Sequence, residues 1–179
     1  MFILYAVPIG IVLGFLMGGR LERLGSLRFE WGWLAVAGLL VQVLLFSPLA
    51  SGVVDERTGA VIYVASTAAV LAAVLRNIRV PGLALAALGA VSNLVAVIAN
   101  GGMMPTTPEA LATAGLGPVE GLSNSAVLAS PALGPLTDIY ALPAWVPLAN
   151  VFSIGDVLIG VGIVVVIALG MRGGVGDRT

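Results

Sequence analysis

Five apolar runs divide the chain, and each is close to the length of about 20 residues that a helix needs to cross a bilayer. Segments with arginine, glycine or proline separate them. Four of the runs have no charged residue, and the last has one, Asp156. The pattern predicts transmembrane helices over residues 2–18, 31–48, 60–75, 81–99 and 154–171.

Composition supports this interpretation, because 59% of the residues are hydrophobic and only 9% are charged. A soluble surface has roughly a quarter to a third of its positions charged. The sequence therefore predicts an all-α integral membrane fold, a five-helix transmembrane bundle in a single membrane domain. The first run has no basic segment before it and no small-residue cleavage site after it, so we interpret it as a retained helix.

The distribution of arginines predicts the orientation of the bundle. Seven of the eight arginines fall in alternate connections or after the last run, and only Arg57 falls on the opposite side. Arginines are retained on the cytoplasmic side of a membrane. We therefore expect the N-terminus outside, the C-terminus in the cytoplasm, and these seven residues inside: Arg20, Arg23, Arg28, Arg76, Arg79, Arg172 and Arg178.

The long segment 101–153 is predicted to be an extracytoplasmic lid between the fourth and fifth spans. Its only charges are Glu109, Glu120 and Asp138. Thr107 as N-cap and Gly115 as stop predict a short helix over residues 108–114. A sixth span over residues 126–149 is disfavoured, because interior prolines cost a helix about 3 kcal/mol each, and this stretch contains Pro131, Pro135, Pro143 and Pro147.

Small residues recur every four positions on one face of the first run, at Gly10, Gly14 and Gly18. Such a face lets two helix backbones approach closely in lipid. It is compatible with a dimer, but we favour packing within the chain, and the face of span four that carries Gly82, Ala86 and Ala90 is the expected partner.

Polar residues within the spans all fall in the predicted outer half of the membrane. They are either helix-to-helix contacts or the lining of an outward-facing pocket. Ser153 and Asp156 also have capping-box spacing, which gives Asp156 a structural alternative at the start of its helix. Ser66 and Thr67 are expected to bond their own helix. The candidate ligand-binding residues in the spans or at their outer rim are Gln42, Asn93, Asn100 and Asp156.

Three stretches resemble signatures of a bacterial family of small membrane proteins of unknown function. They are residues 100–105 (NGGMMP), 136–139 (LTDI) and 150–159 (NVFSIGDVLI). The resemblance covers the whole chain. It implies a multi-span topology and a place in the bacterial plasma membrane, and it implies no activity.

The residues that the chain lacks narrow its possible chemistry. Without histidine, cysteine or lysine, the commonest general base, thiolate metal sites and Schiff-base chemistry are excluded. The loop is expected to bring Asp138 and Asn150 towards Asn100 and Asp156, as an oxygen-rich cluster for a hard cation or a hydroxyl-bearing headgroup. A structural clamp uses the same groups.

Three function classes follow from these patterns. We favour the binding or transport of a small amphiphile, lipid headgroup or ion over an enzyme that uses Asp138 and Asp156 as acid and base. The third class is an accessory subunit of a larger membrane complex. We expect the lipid bilayer as the main partner, and no cofactor, resident metal or nucleic acid.

Overall fold

The computed structural model describes residues 2–50, 52–118 and 123–173, so Glu120 and Arg178 lie outside the described residues. Most of the described chain is helical. Three 3-10 helices cover Phe2–Tyr5, Leu21–Ser26 and Gly134–Leu136. The α-helices are α1 (Ala6–Leu16), α2 (Gly32–Leu45), α3 (Glu56–Arg76), α4 (Leu83–Ala99), α5 (Pro108–Ala114) and α6 (Ile154–Arg172).

The helices fall on the predicted apolar runs, with ends that differ by a few residues. Two of them, α3 and α6, are long and apolar enough to cross a membrane. Three other apolar helices are shorter: Phe2–Leu16, Gly32–Leu45 and Leu83–Ala99. At 1.5 Å per residue, α4 is about 25 Å long and α2 about 21 Å.

The five long helices pack in the spatial order α1, α6, α4, α3, α2. Helices α1 and α6 run parallel, because Gly10 faces Ile167 and Gly14 faces Met171. Helix α4 runs antiparallel to α6, and the short connections make α2, α3 and α4 antiparallel to their neighbours. Helix α6 is therefore central, between α1 and α4.

The partner of the small-residue face on α1 differs from the expected one. Gly10 and Gly14 pack against α6 and not against α4, and a Cβ on Gly18 would meet no atom of the described residues within 4 Å. The reason is the order of the helices, which places α6 between α1 and α4. Gly10 and Gly14 are thus used within the chain.

Glycines also bring α4 and α6 into backbone contact. A Cβ on Gly89 would lie 2.3 Å from the Gly155 carbonyl oxygen, and a Cβ on Gly162 would lie 2.6 Å from that of Gly82. Real side chains do not tolerate such distances. The two helices can therefore approach this closely only because glycine occupies these positions.

One end of the molecule, which we call the arginine end, contains six arginines and two acids among its described residues. The Arg23 guanidinium donates to the Arg172 carbonyl oxygen, and Glu30 forms an ion pair with Arg76. Asn77 also hydrogen-bonds both main-chain groups of Glu30, at 2.8 and 2.7 Å. These contacts join the end of α1 to the end of α6, and the start of α2 to the end of α3.

The opposite end, which we call the loop end, is covered by residues 101–118 and 123–153. Two small sheets form there: β1 (Met104–Thr106) pairs in parallel with β2 (Ser125–Val127), and β3 (Tyr140–Ala141) pairs antiparallel with β4 (Val151–Phe152). Helix α5 begins at the Thr107 cap and ends at Gly115, which confirms the predicted short helix. Residues 126–147 contain no α-helix, and their one helical element is the 3-10 helix Gly134–Leu136, as their prolines predict.

Large apolar side chains cover much of the outer surface of the helices. Leu16, Trp33 and Val43 are 77%, 73% and 67% exposed. The buried positions of the helices are mostly occupied by small residues such as Ala86, Ala87 and Gly89. Small residues inside and large apolar residues outside are typical of helices that pack in lipid.

Candidate functional site

A polar cluster lies where the end of α4 meets the start of α6. Asn93 donates from its Nδ2 to Asp156 Oδ1 at 2.8 Å. Ser153 is fully buried, and its backbone N–H donates to Asp156 Oδ2 at 3.0 Å. The Ser153 hydroxyl in turn accepts from the Asp156 backbone N–H at 3.1 Å. The predicted capping box is therefore present, and Asn93 extends it across to the neighbouring helix.

In this cluster, which we call the Asn93–Asp156 clamp, the polar side chains bond one another. Both carboxylate oxygens of Asp156 already accept hydrogen bonds, and the Ser153 hydroxyl lies 2.8 Å from Asn93 Oδ1. A Cβ on Gly155 would lie 1.9 Å from the same Asn93 oxygen. The clamp therefore depends on a glycine at position 155, and its geometry is that of a helix contact.

Asp138 is buried in the loop beside the clamp. Its main chain is held by Thr106, whose hydroxyl donates to the Asp138 carbonyl oxygen, and by Pro105, whose carbonyl accepts from the Asp138 N–H. Among the described residues its Oδ1 atom has no hydrogen-bond partner. Burial, and secondarily the nearby Asp156 carboxylate, raises the pKa of Asp138 to about 7.

The other candidate residues do not join this cluster. Asn100 donates to Ala96 O at 2.8 Å and to Ala132 O at 2.9 Å, and its Oδ1 accepts from Ala132 N. Asn100 thus fastens the loop to the end of α4. Asn150 accepts through its main-chain oxygen from Leu142. Gln42 donates to Thr67 between α2 and α3, at 3.2 Å.

An open cleft of about 470 Å³ lies elsewhere at the loop end, between the first turns of α3 and the loop. We call it the α3–loop cleft. One side is apolar, with Phe46, Gly59, Ala60, Gly102, Met103 and Val127 among its lining residues. Its polar groups belong to Glu56, Tyr63, Ser123 and Ser125. None of the six candidates from the sequence is among the described residues that line it.

Two aromatic residues shape the inner part of the cleft. Phe46 meets Tyr63 edge to face, with ring centroids 5.2 Å apart. Tyr63 also packs against a buried cluster of Ala96, Val97 and Met104. The cleft is thus lined by two aromatic rings and by hydroxyl groups from the loop. Glu56 is the only charge among its described lining residues.

The sequence did not point to these residues, because the candidates were polar groups in or beside the apolar runs and loop residues expected to lie near Asn100 and Asp156. Ser123 and Ser125 belong to the loop, and Glu56 lies just outside the predicted third span. Tyr63 was within that span, and an aromatic residue in an apolar run attracts no attention. The dipeptide Asp55-Glu56 was a usable signal. Asp55 alone caps α3, by accepting from the N–H groups of Arg57 and Thr58, so the cap does not need the Glu56 carboxylate.

Comparison with known proteins adds a family to this geometry. The family model described as DUF5317, a family of unknown function, matches residues 26–168. The chain belongs to this family. The match extends from the 3-10 helix before α2 to near the end of α6, and it includes the clamp and the cleft. Neither a curated protein nor a solved structure matches the chain.

Proposed function

We propose that this DUF5317 protein crosses the bacterial plasma membrane five times and binds a small amphiphile in the α3–loop cleft, on the outer side. Three kinds of observation support the proposal: the apolar outer surface of the helices, the unequal charges of the two ends, and the chemistry of the cleft. The last of these carries the functional part of the proposal.

The charge distribution supports the orientation. The arginine end contains six of the arginines in the described residues, whereas the loop end contains Arg57 and five acids: Asp55, Glu56, Glu109, Asp138 and Asp156. Arginines on the cytoplasmic side and few on the outer side are what membrane insertion favours. Helix directions that alternate along the chain from α1 to α4, with α6 parallel to α1, agree with five crossings.

Cysteine accessibility tests the orientation directly, because the chain has no cysteine of its own. We expect a cysteine introduced at position 120 to react with an impermeant maleimide in intact cells. A cysteine at position 174 should react only after lysis. The reverse pattern would place the cleft in the cytoplasm and refute the outward-facing site.

The lining of the cleft supports an amphiphile over an ion. A hard cation takes six or more oxygen ligands, mostly carboxylates and carbonyls, and the described lining of the cleft has a single carboxylate, that of Glu56. An apolar wall with a few convergent polar groups is instead typical of sites for small organic molecules. A ligand with an apolar part and hydroxyl groups matches both the apolar and the polar lining residues of the cleft.

Native mass spectrometry of protein extracted with its own lipid tests the binding. We expect one retained amphiphile per chain, and a several-fold lower occupancy in Ser125→Leu, which puts a bulky side chain into the cleft. Ser130→Leu is the matched control, since Ser130 is exposed on the same loop and does not line the cleft. Equal occupancy in the two variants, or no retained molecule in the native protein, would contradict the proposal.

The enzyme hypothesis has less support. Both carboxylate oxygens of Asp156 are hydrogen-bonded in the clamp, Asp138 is buried, and neither residue lines the cleft. An acid and a base must reach the substrate to act on it. The accessory-subunit hypothesis stays a prediction, and the exposed apolar faces of α1 and α2 are compatible with lipid as well as with another protein.

A further inference from the structure

A second, apolar groove of about 370 Å³ runs along the outside of α3 and α4 at the loop end. Its walls are Ala60, Val61, Val64 and Ala65 on α3 and Ile98 on α4. Gly101 and Gly102, which follow α4, also line it. The described residues thus give the groove no polar side chain, and it opens towards the surface that we assign to the lipid.

The groove and the α3–loop cleft share a border. Ala60 and Gly102 line both of them. Gly102 has a φ of +92°, and a Cβ there would lie 2.4 Å from the Ala60 Cβ. The border that the two spaces share is thus formed by a glycine main chain and one methyl group. The consecutive glycines after Asn100 let the loop turn this close to α3.

We propose that the groove holds the acyl chain of the amphiphile while its headgroup lies in the cleft, and that this headgroup is uncharged and bears hydroxyls. The inference rests on the proposed function and names its ligand class. From Ala60 to Ala65 the helix rises about 8 Å. The groove thus contacts the part of a single chain nearest to the headgroup, and the rest of the chain extends along α3.

Charge decides the headgroup class. The only charged group among the described residues of the cleft is the Glu56 carboxylate, and Asp55 lies beside it. An anionic headgroup would be placed against these carboxylates without a basic partner from that lining. Ser123 and Ser125 instead offer hydroxyls that both donate and accept. A glycerol-like headgroup meets these requirements.

The groove alone does not give selectivity in a bilayer. Lipid tails are as apolar as its side chains, so moving a chain from the bilayer into the groove changes little hydrophobic contact. The headgroup contacts therefore select the ligand, and the groove sets the direction in which its chain leaves the cleft. This division of roles makes the two parts separable by mutation.

Photocrosslinking of the full chain in detergent micelles tests the proposal, with a monoacylglycerol that carries a diazirine near the start of its chain as the probe. We expect labelled peptides from residues 60–65 and from Ile98. Unlabelled monoolein should compete several-fold better than oleate. Ala65→Phe fills the groove and should lower this labelling several-fold. Ala37→Phe, at an exposed position of α2, is the matched control.

The outcomes separate the two proposals. If Ser125→Leu lowers labelling and Ala65→Phe equals Ala37→Phe, the groove is refuted and the cleft stands. If labelling is spread over exposed positions such as Val43 and no variant changes it, both proposals are refuted. Competition by oleate equal to that by monoolein would overturn the uncharged headgroup. Each variant is first checked for an unchanged unfolding temperature in the same detergent. If Ala65→Phe fails this check, Ala65→Leu replaces it.

Discussion

Two polar regions at the loop end differ in how they use their hydrogen-bonding groups. In the Asn93–Asp156 clamp, the carboxylate, the amide and the Ser153 hydroxyl bond one another at 2.8–3.1 Å. In the α3–loop cleft, Glu56, Tyr63 and the serines line an open space. The first region contains the polar residues that stand out in the sequence, and the second contains residues that do not.

The difference shows that a polar residue inside an apolar helix first needs a hydrogen-bond partner within the protein. A buried polar group without a partner costs about 1–3 kcal/mol, so α4 and α6 satisfy Asn93 and Asp156 with each other. Groups at the start of a helix or in a loop have water as an alternative. They can therefore keep hydrogen-bonding capacity for a ligand: the Ser123 hydroxyl accepts from the Ser125 N–H and can still donate its own proton.

The largest expected effect comes from forcing the clamp apart. Gly155→Ala places a Cβ 1.9 Å from Asn93 Oδ1 and 2.8 Å from the Gly89 carbonyl oxygen. We expect it to destabilise the fold by about 3 kcal/mol, at the upper end of overpacking effects. Unfolding in a mixed-micelle denaturant titration measures the change.

Gly160→Ala is the control for this prediction, on the same helix. Its Cβ would lie 3.5 Å from Phe2, an ordinary contact. Alanine is a better helix former than glycine, so this variant should be neutral or slightly stabilising. Equal stability of the Gly155 and Gly160 variants would show that α4 and α6 are not in backbone contact.

The next effect is a dependence of stability on pH through Asp138. Its pKa is about 7 in the fold and 3.8 without it, so the folded state binds the proton more tightly. The stability that Asp138 contributes is therefore fully present below about pH 4 and is lost as the pH rises towards 7. We expect a loss of about 2 kcal/mol between pH 5 and pH 7, with up to about 1.4 kcal/mol for each pH unit.

Asp138→Asn sharpens this prediction, because the amide has the shape of the protonated carboxyl and does not titrate. The variant should lose most of the dependence between pH 5 and pH 7 and should be more stable than the native protein at pH 8. An unchanged pH profile would mean that another group is responsible. Thermal unfolding across this pH range provides the measurement.

A smaller effect is expected from Asp156→Asn, which tests whether the clamp is separate from the cleft. The variant keeps the shape of the side chain and removes the charge that favours the start of α6. We expect a cost of about 1 kcal/mol and unchanged labelling by the monoacylglycerol probe. Lost labelling in a variant of native stability would instead make Asp156 a ligand contact.

The smallest expected effect concerns Gln42, whose bond to Thr67 is 3.2 Å long. Hydrogen bonds between membrane helices contribute about 0.6 kcal/mol on average. A double-mutant cycle with Gln42→Leu and Thr67→Val should give a coupling of this size, and ligand labelling should not change. A coupling above about 2 kcal/mol would mean that Gln42 belongs to a larger network.

Local sequence patterns predicted helix α5, because the residues that begin and end it lie within or next to it in the sequence. Thr107, Pro108 and Gly115 are a cap, a first-turn residue and a stop, and α5 lies between them as expected. The capping box of Ser153 and Asp156 was predicted for the same reason, because its two members are three residues apart. The hydrogen bond from Asn93 to Asp156 was not predicted, because 63 positions separate the two residues.

The spacing of Asn93 and Asn100 shows the limit of the same reasoning. Seven residues place both on one face of a helix, which suggested a shared pocket. However, Asn100 is the C-cap residue of α4, about 10 Å further along the axis. At that height it meets the loop at Ala132 instead of the start of α6.

The sequence by itself thus determined where the long helices lie, how several of them begin and end, and which connections contain the arginines. These properties depend on apolar length and on residues a few positions apart. Only the tertiary structure decided that α6 lies between α1 and α4, that Asn93 meets Asp156, and that the loop leaves a cleft against α3. Helix order depends on which faces fit together across the whole chain, and no local pattern contains that information.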